Sequence, residues 1–235
     1  MKVLYVYPHP DDESFGPAHA MSKQRRQGYE VYLLTLTRGG ATKQRFKHGY
    51  SVEEMGEVRH QEIKNVARVL DLSGMTVLDL PDSGVKEMDP REIEKVVIEE
   101  IERVQPHVLV TYPVHGISGF YDHVVTHAIV KRVFVELREK VQYLKRLAFQ
   151  TLTEEEAQRG ELFHLSGSTP DEIDCIVEVD EVDIANSHKA LDCYVTFQET
   201  IEKSGIKGFI RNQAVFEIFQ ENYDPPLADL FERLA

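Results

Sequence analysis

The sequence predicts an α/β fold with a mainly parallel sheet, on three observations. Short β-branched and aromatic runs of strand length alternate with longer amphipathic, helical patterns. The first four strand candidates are each followed by a helix-length segment, so they form successive βαβ units. The chain has 235 residues and no Pro/Gly-rich linker, internal repeat or low-complexity tract, so one domain spanning residues 1–235 is expected.

Taken in order, the strands are expected at residues 3–7, 31–36, 75–80 and 107–112. Helices are expected at 13–27, at 53–70 with apolar Val58, Ile63, Val66, Val69 and Leu70, and at 90–104. The last of these opens with Asp89 as N-cap and Pro90 at the first helical position. A fourth helix is expected at 122–140. Beyond it the pattern is mixed, with strands at 147–152, 173–179 and 215–223 and a helix over about 182–203. In the common doubly wound order 3-2-1-4, strands one and four are neighbours, and ligands bind in the crevice at their carboxyl ends.

Composition excludes several classes of function. The 27 Lys+Arg against 40 Asp+Glu give a formal net charge of −13, which opposes binding to a phosphate backbone. Contents of 42% hydrophobic and 29% charged residues exclude a mainly disordered chain. Cys175 and Cys193 have no Cys-x-x-Cys spacing, so neither a disulfide scaffold nor a cysteine zinc finger is expected, and a reducing compartment fits. No apolar run approaches the ~20 residues of a membrane span, and the chain opens on a strand instead of an apolar leader. The expectation is a soluble, cytoplasmic homo-oligomer acting on a small molecule, with neither nucleic acid nor membrane as a partner.

The densest chemistry is Pro8-His9-Pro10-Asp11-Asp12-Glu13, where the first strand ends and the first helix starts. Pro8 and Pro10 stiffen that turn. His9 and Asp12 are donors that zinc accepts, and adjacent carboxylates repel unless a cation lies nearby. A helix cap and dipole would account for one carboxylate; three acids and a histidine exceed that need. A second set, His115, Asp122, His123 and His127, follows the fourth strand. His123 and His127, at i and i+4, share a helix face, so either or both could bind metal. The strand order brings the two sets together. Three protein ligands would leave one zinc position open for hydrolysis, and Asp11, spare once Asp12 binds metal, suits a general base. A third feature is basic: Arg38, Lys43, Arg45 and Lys47 follow the second strand with no acid among them. They are expected either to form a solvated surface loop or to hold an anionic substrate group beside the site.

Together these residues resemble the zinc-dependent N-acetylglucosaminyl deacetylases of the LmbE/PIG-L family. Pro-His-Pro-Asp-Asp-Glu after strand one, Asp122-His123 opening a later helix, Arg59-His-Gln-Glu62 and Leu80-Pro-Asp82 carry the resemblance. It implies a Rossmann-like three-layer αβα fold and removal of acetyl groups from N-acetylglucosamine derivatives with one zinc ion. By the same resemblance His9, Asp12 and His123 are the metal ligands, Asp11 is the base, and Arg59 and Asp82 contact the sugar. Two positions depart from the family pattern. Phe120 stands where a histidine is usual, and His115 is expected to replace it in catalysis. Tyr194 stands where the C-terminal helix usually carries a histidine, and Tyr194 or His188 is expected to supply a substrate hydrogen bond. The basic loop, Arg38 above all, would suit an N-acetylglucosaminyl-malate substrate. The competing readings are a metal- or sugar-binding protein of this fold without catalysis, and a metal-dependent phosphoesterase. A dinucleotide site is excluded, since no Gly-x-Gly-x-x-Gly follows strand one.

Overall fold

Side chains along the first strand, β1 (Lys2–Tyr7), alternate in direction: Val3, Tyr5 and Tyr7 join one buried cluster, Leu4 and Val6 another. The computed structural model describes residues 1–160, 162 and 164–234. After β1 come α1 (Asp12–Phe15), α2 (Ala18–Arg26), β2 (Glu30–Thr37), α3 (Arg45–His48), α4 (Val52–Val69), β3 (Gly74–Leu80), α5 (Pro90–Val104), β4 (Val108–Thr111) and α6 (Tyr121–Leu137). Then follow β5 (Arg146–Thr151), α7 (Glu154–Ala157), β6 (Cys175–Glu178), α8 (Glu181–Asp192), α9 (Gln198–Ser204), α10 (Ile206–Phe209) and β7 (Gln213–Ile218).

A strand apolar on both faces needs a helical layer on each side. Ala20 and Met21 of α2, Ile63 and Val66 of α4 and Leu191 of α8 cover the Tyr5 face. Ile93, Val97 and Ile101 of α5 and Val130, Val133 and Phe134 of α6 cover the Leu4 face. The result is a three-layer αβα arrangement on a sheet ordered β3-β2-β1-β4-β5-β7-β6. The expected 3-2-1-4 core is present, with β1 parallel to both β2 and β4. At the far edge β7 runs antiparallel to β5 and to β6, so the sheet is mixed there. Among the described residues no helix is long and apolar enough to cross a membrane.

Several expected elements are shorter or broken. The helix expected over 13–27 splits into α1 and α2 because Pro17 lacks an N–H and disfavours helical geometry at Gly16. The break leaves Asp12 and Glu13 in a separate buried turn. The helix expected over 182–203 stops at Asp192, and residues 195–197 form a tight 3₁₀ turn. There the Glu62 carboxylate accepts hydrogen bonds from the Thr196 N–H (2.7 Å) and hydroxyl (2.8 Å) in place of a continuing helix. The strand expected over 215–223 ends at Ile218, where the Asp174 carboxylate accepts from the backbone N–H of Ile218 and of Tyr223.

Arg146, at the start of β5, closes the C-terminal end. Fully buried, it donates to both oxygens of Glu221 (3.0 and 2.7 Å) and to the carbonyls of Leu230 (2.6 Å) and Glu232 (2.9 Å). Arg146→Leu keeps bulk but orphans these acceptors. Because Glu221 is partly exposed, the expected loss is about 2–3 kcal/mol, checked as a lower denaturant midpoint at unchanged slope.

Candidate active site

Two turns at the carboxyl ends of β1 and β4 build the site. Pro8 and Pro10 stiffen the first, and the Thr37 N–H on neighbouring β2 donates to the Pro8 carbonyl (2.9 Å). Asp11 caps α1 with φ of 102°, a left-handed conformation that Asp tolerates better than most side chains. The second turn holds Gly116 and Gly119, and Ile117 also at positive φ (59°). For a β-branched residue that is a strained geometry of the kind kept at functional sites. His115 sustains it: its Nδ1 accepts the Ile117 N–H at 3.1 Å.

The turns bring His9, Asp12 and His123 together, with donor atoms of all three within 4.8 Å of one another. His9 Nδ1 lies 3.5 Å from Asp12 Oδ2, and His123 Nε2 lies 3.4 Å from Asp12 Oδ1. The other nitrogen of each ring is committed elsewhere. His9 Nε2–H donates to Asp122 Oδ2 (3.1 Å), and His123 Nδ1–H donates to the Gly116 carbonyl (3.0 Å). Both rings therefore aim a lone pair at a carboxylate oxygen, which is repulsive unless a cation lies between them. This donor set fits a divalent metal ion, with the outer partners fixing each tautomer. The same demand for positive charge shows in His9: burial lowers its pKa, but Asp12, Asp122 and Asp82 overcome that and push it up to about 10. Burial opposes ionisation of Asp12 as well, yet His123 and His9 hold it well below the usual carboxylate range.

Asp11 faces the same cavity without joining the cluster. Its Oδ2 accepts from Arg59 Nη2 (2.9 Å), and the same nitrogen donates to the Pro10 carbonyl. The Arg59 guanidinium packs on the Phe197 ring, 3.9 Å from its centroid. Burial pushes Asp11 up to about 6, opposed by the Arg59 charge and reinforced by Asp12. Behind it, burial pushes Glu13 up to about 7, against hydrogen bonds from Ser14 (2.6 Å) and Tyr194 (2.7 Å).

The remaining sequence candidates divide sharply. Asp82 lines the cavity, 3.4 Å from His9 Nε2, and accepts the Ala41 N–H (2.6 Å). Arg59 lines it too; its Nη2 serves both Asp11 and Pro10, while its Nε is buried without a hydrogen-bond partner. Tyr194 is fully buried and donates to Glu13, so it supports the turn from behind and does not line the cavity. His115 is also outside the lining, turned toward the Ile117 backbone. His127 faces the other way, donating from Nδ1 to the Tyr112 carbonyl (2.9 Å) with its ring on Phe149. His188 lies against the Lys207 carbonyl. Arg38 pairs with Glu57 and lies 3.5 Å from Asp79, Lys47 pairs with Glu199, and Arg45 covers the Phe46 ring. None of these cations lines the cavity.

Sequence reasoning missed Tyr112. Its hydroxyl donates to Asp12 Oδ1 (2.7 Å), and its ring stacks on His123 at 4.1 Å and 7°. The available signal was its place as the first residue past β4. Asp122 was seen only as a neighbour of His123; its role is to orient His9.

The model of the PIG-L family, described as GlcNAc-PI de-N-acetylase, matches residues 4–134, more than half of the chain. The chain belongs to the PIG-L family. The 1D-myo-inositol 2-acetamido-2-deoxy-alpha-D-glucopyranoside deacetylase of Thermomonospora curvata is 30% identical over 152 residues, covering 56% of this chain and 51% of that protein. The probable N-acetyl-alpha-D-glucosaminyl L-malate deacetylase 2 of Bacillus subtilis is 27% identical, covering 58% and 62%. The chain thus aligns with about half to three-fifths of the length of these curated relatives. The crystal structure of a deacetylase of teicoplanin biosynthesis, in complex with bog, superposes with a TM-score of 0.72 at 12% identity, covering 93% of this chain and 97% of that one. At that identity the likeness speaks for the fold alone. The PIG-L match covers His9, Asp11, Asp12, Arg59, Asp82 and His123.

Proposed function

We propose that this PIG-L protein is a zinc-dependent N-deacetylase that hydrolyses the acetamide of an N-acetylglucosamine derivative. The observation that carries the reading is the pairing of a His9/Asp12/His123 cluster with a separate carboxylate, Asp11, facing the same cavity. A site built only to bind metal or sugar has no use for that second carboxylate. When bound, zinc supplies a Lewis acid that polarises a carbonyl and acidifies water.

The chain's own residues supply the rest. Asp11 takes a proton from the attacking water as the C–N bond of the acetamide is replaced by C–O, and it returns that proton to the departing amine. Among the described residues lining the cavity, His9 and His123 are the imidazoles and both belong to the ligand set. This leaves Asp11 to act as base and then acid, and His115, outside the lining, is not assigned the carbonyl- or oxyanion-stabilising role anticipated from sequence. Arg59 holds the Asp11 carboxylate in place. The products are acetate and a free amine.

Both cysteines are unpaired, which supports a reducing compartment, and we place the enzyme in the cytoplasm. The test is release of amine and acetate from a panel of N-acetylglucosamine conjugates, on protein stripped by chelator and then reloaded with zinc. Release restored by zinc is expected; no release across the panel would leave a metal-binding protein without this activity.

A further inference from the structure

Past the metal cluster the cavity, about 340 Å³, changes character. Its far wall is apolar: Leu152 and Leu165 come from the segment after β5, Phe197 from the 3₁₀ turn before α9, and Ile206 and Phe209 from α10. At the mouth Phe120 is 49% exposed, and its ring meets the His123 ring edge-on at 5.4 Å. Three carboxylates, Asp11, Asp12 and Asp82, lie in the lining. Among the described residues Arg59 is the lining cation other than the histidines; it is buried, its charge is paired with Asp11, and Phe197 covers its guanidinium, although its Nε has no hydrogen-bond partner. Of the basic loop that sequence offered as an anion cradle, Arg38, Lys47 and Arg45 face Glu57, Glu199 and the Phe46 ring, and Lys43 is exposed to solvent; none of the four lines the cavity. An anionic substituent placed against this apolar wall, away from the metal cluster, would lose water and find no cation among the described lining residues there.

We propose that the aminosugar carries an uncharged apolar aglycone, an alkyl or aryl group, seated against Leu165, Ile206 and Phe209. The attachment to an acetamidosugar rests on the deacetylase reading, whereas the preference for an apolar group rests on the cavity wall. Each methylene buried there multiplies kcat/KM about fourfold. Continuity with the metal cluster matters to the argument, since one cavity holds both ends of the ligand.

The test compares methyl, hexyl and carboxymethyl glycosides of N-acetylglucosamine on the zinc-loaded protein. Hexyl is expected to exceed methyl in kcat/KM by at least tenfold, with the anionic carboxymethyl glycoside below methyl. In Ile206→Asn and, separately, Leu165→Gln, the hexyl-to-methyl ratio should fall by at least fivefold. Because the reading is a ratio within one protein sample, partial misfolding does not produce it. A carboxymethyl preference, or equal rates for all three, overturns the proposal. If none of them is hydrolysed, binding of hexyl and methyl glucoside, which lack the acetamide, decides separately. Tighter hexyl binding upholds the apolar site while the deacetylase reading falls, and equal binding overturns the site.

Discussion

Asp11→Asn is expected to lower turnover roughly 10²–10⁴-fold, the range set by loss of a general base. Asparagine is the informative substitution for two reasons. Asp11 sits at φ of 102°, where Asn is tolerated and Ala would add backbone strain. The Asn carbonyl can still accept from Arg59, so the guanidinium keeps Pro10, Phe197 and one side-chain oxygen. Bound metal, measured by elemental analysis, should stay near the wild-type level because Asp12 supplies the cluster's carboxylate. Turnover within a factor of three of wild type would remove Asp11 from the chemistry.

His123→Ala should abolish stoichiometric metal. Losing an outer partner of a metal-ligating histidine alone costs about 10–100-fold in affinity, so losing the imidazole should cost at least roughly 100-fold. The same change removes the ring stacked on Tyr112, so the folded fraction is checked by denaturant unfolding. His127→Ala is the matched control. Its Nδ1 is bonded to the Tyr112 carbonyl and its ring lies on Phe149; this variant should retain metal. If the His127 variant loses the ion while the His123 variant keeps it, the cluster is misassigned.

What could be read from sequence was what the chain encodes contiguously. Pro8 to Glu13 sit in one turn and Asp122-His123 in another, and the common 3-2-1-4 strand order, present in the structure, makes those turns neighbours. β1 and β2 are buried on both faces, so they stood out as short continuous apolar runs. The misses involve partners distant in sequence. Nothing near Thr196 announces that Glu62 accepts its N–H and breaks a helix. Nothing near Arg38 tells that Glu57 takes its charge away from the site. Tyr112, on Asp12 and His123, read as one more apolar strand residue. Gly16-Pro17 was a local breaker in plain view, outweighed by the amphipathic pattern on either side.

The family match ends at residue 134, and the cavity draws residues from both sides of that point. His9, Asp11, Asp12, Arg59, Asp82 and His123 lie before it; Leu152, Leu165, Phe197, Ile206 and Phe209 lie after it. If the proposed roles hold, the metal and base residues and most of the apolar wall lie in separate stretches of one polypeptide. Grafting experiments can exploit this seam, subject to one constraint. β5 belongs to the later stretch yet pairs with β4 of the earlier one, Leu109 beside Leu147 and Thr111 beside Phe149. A donor segment that preserves that ladder should carry its own ligand preference onto an unchanged metal turn.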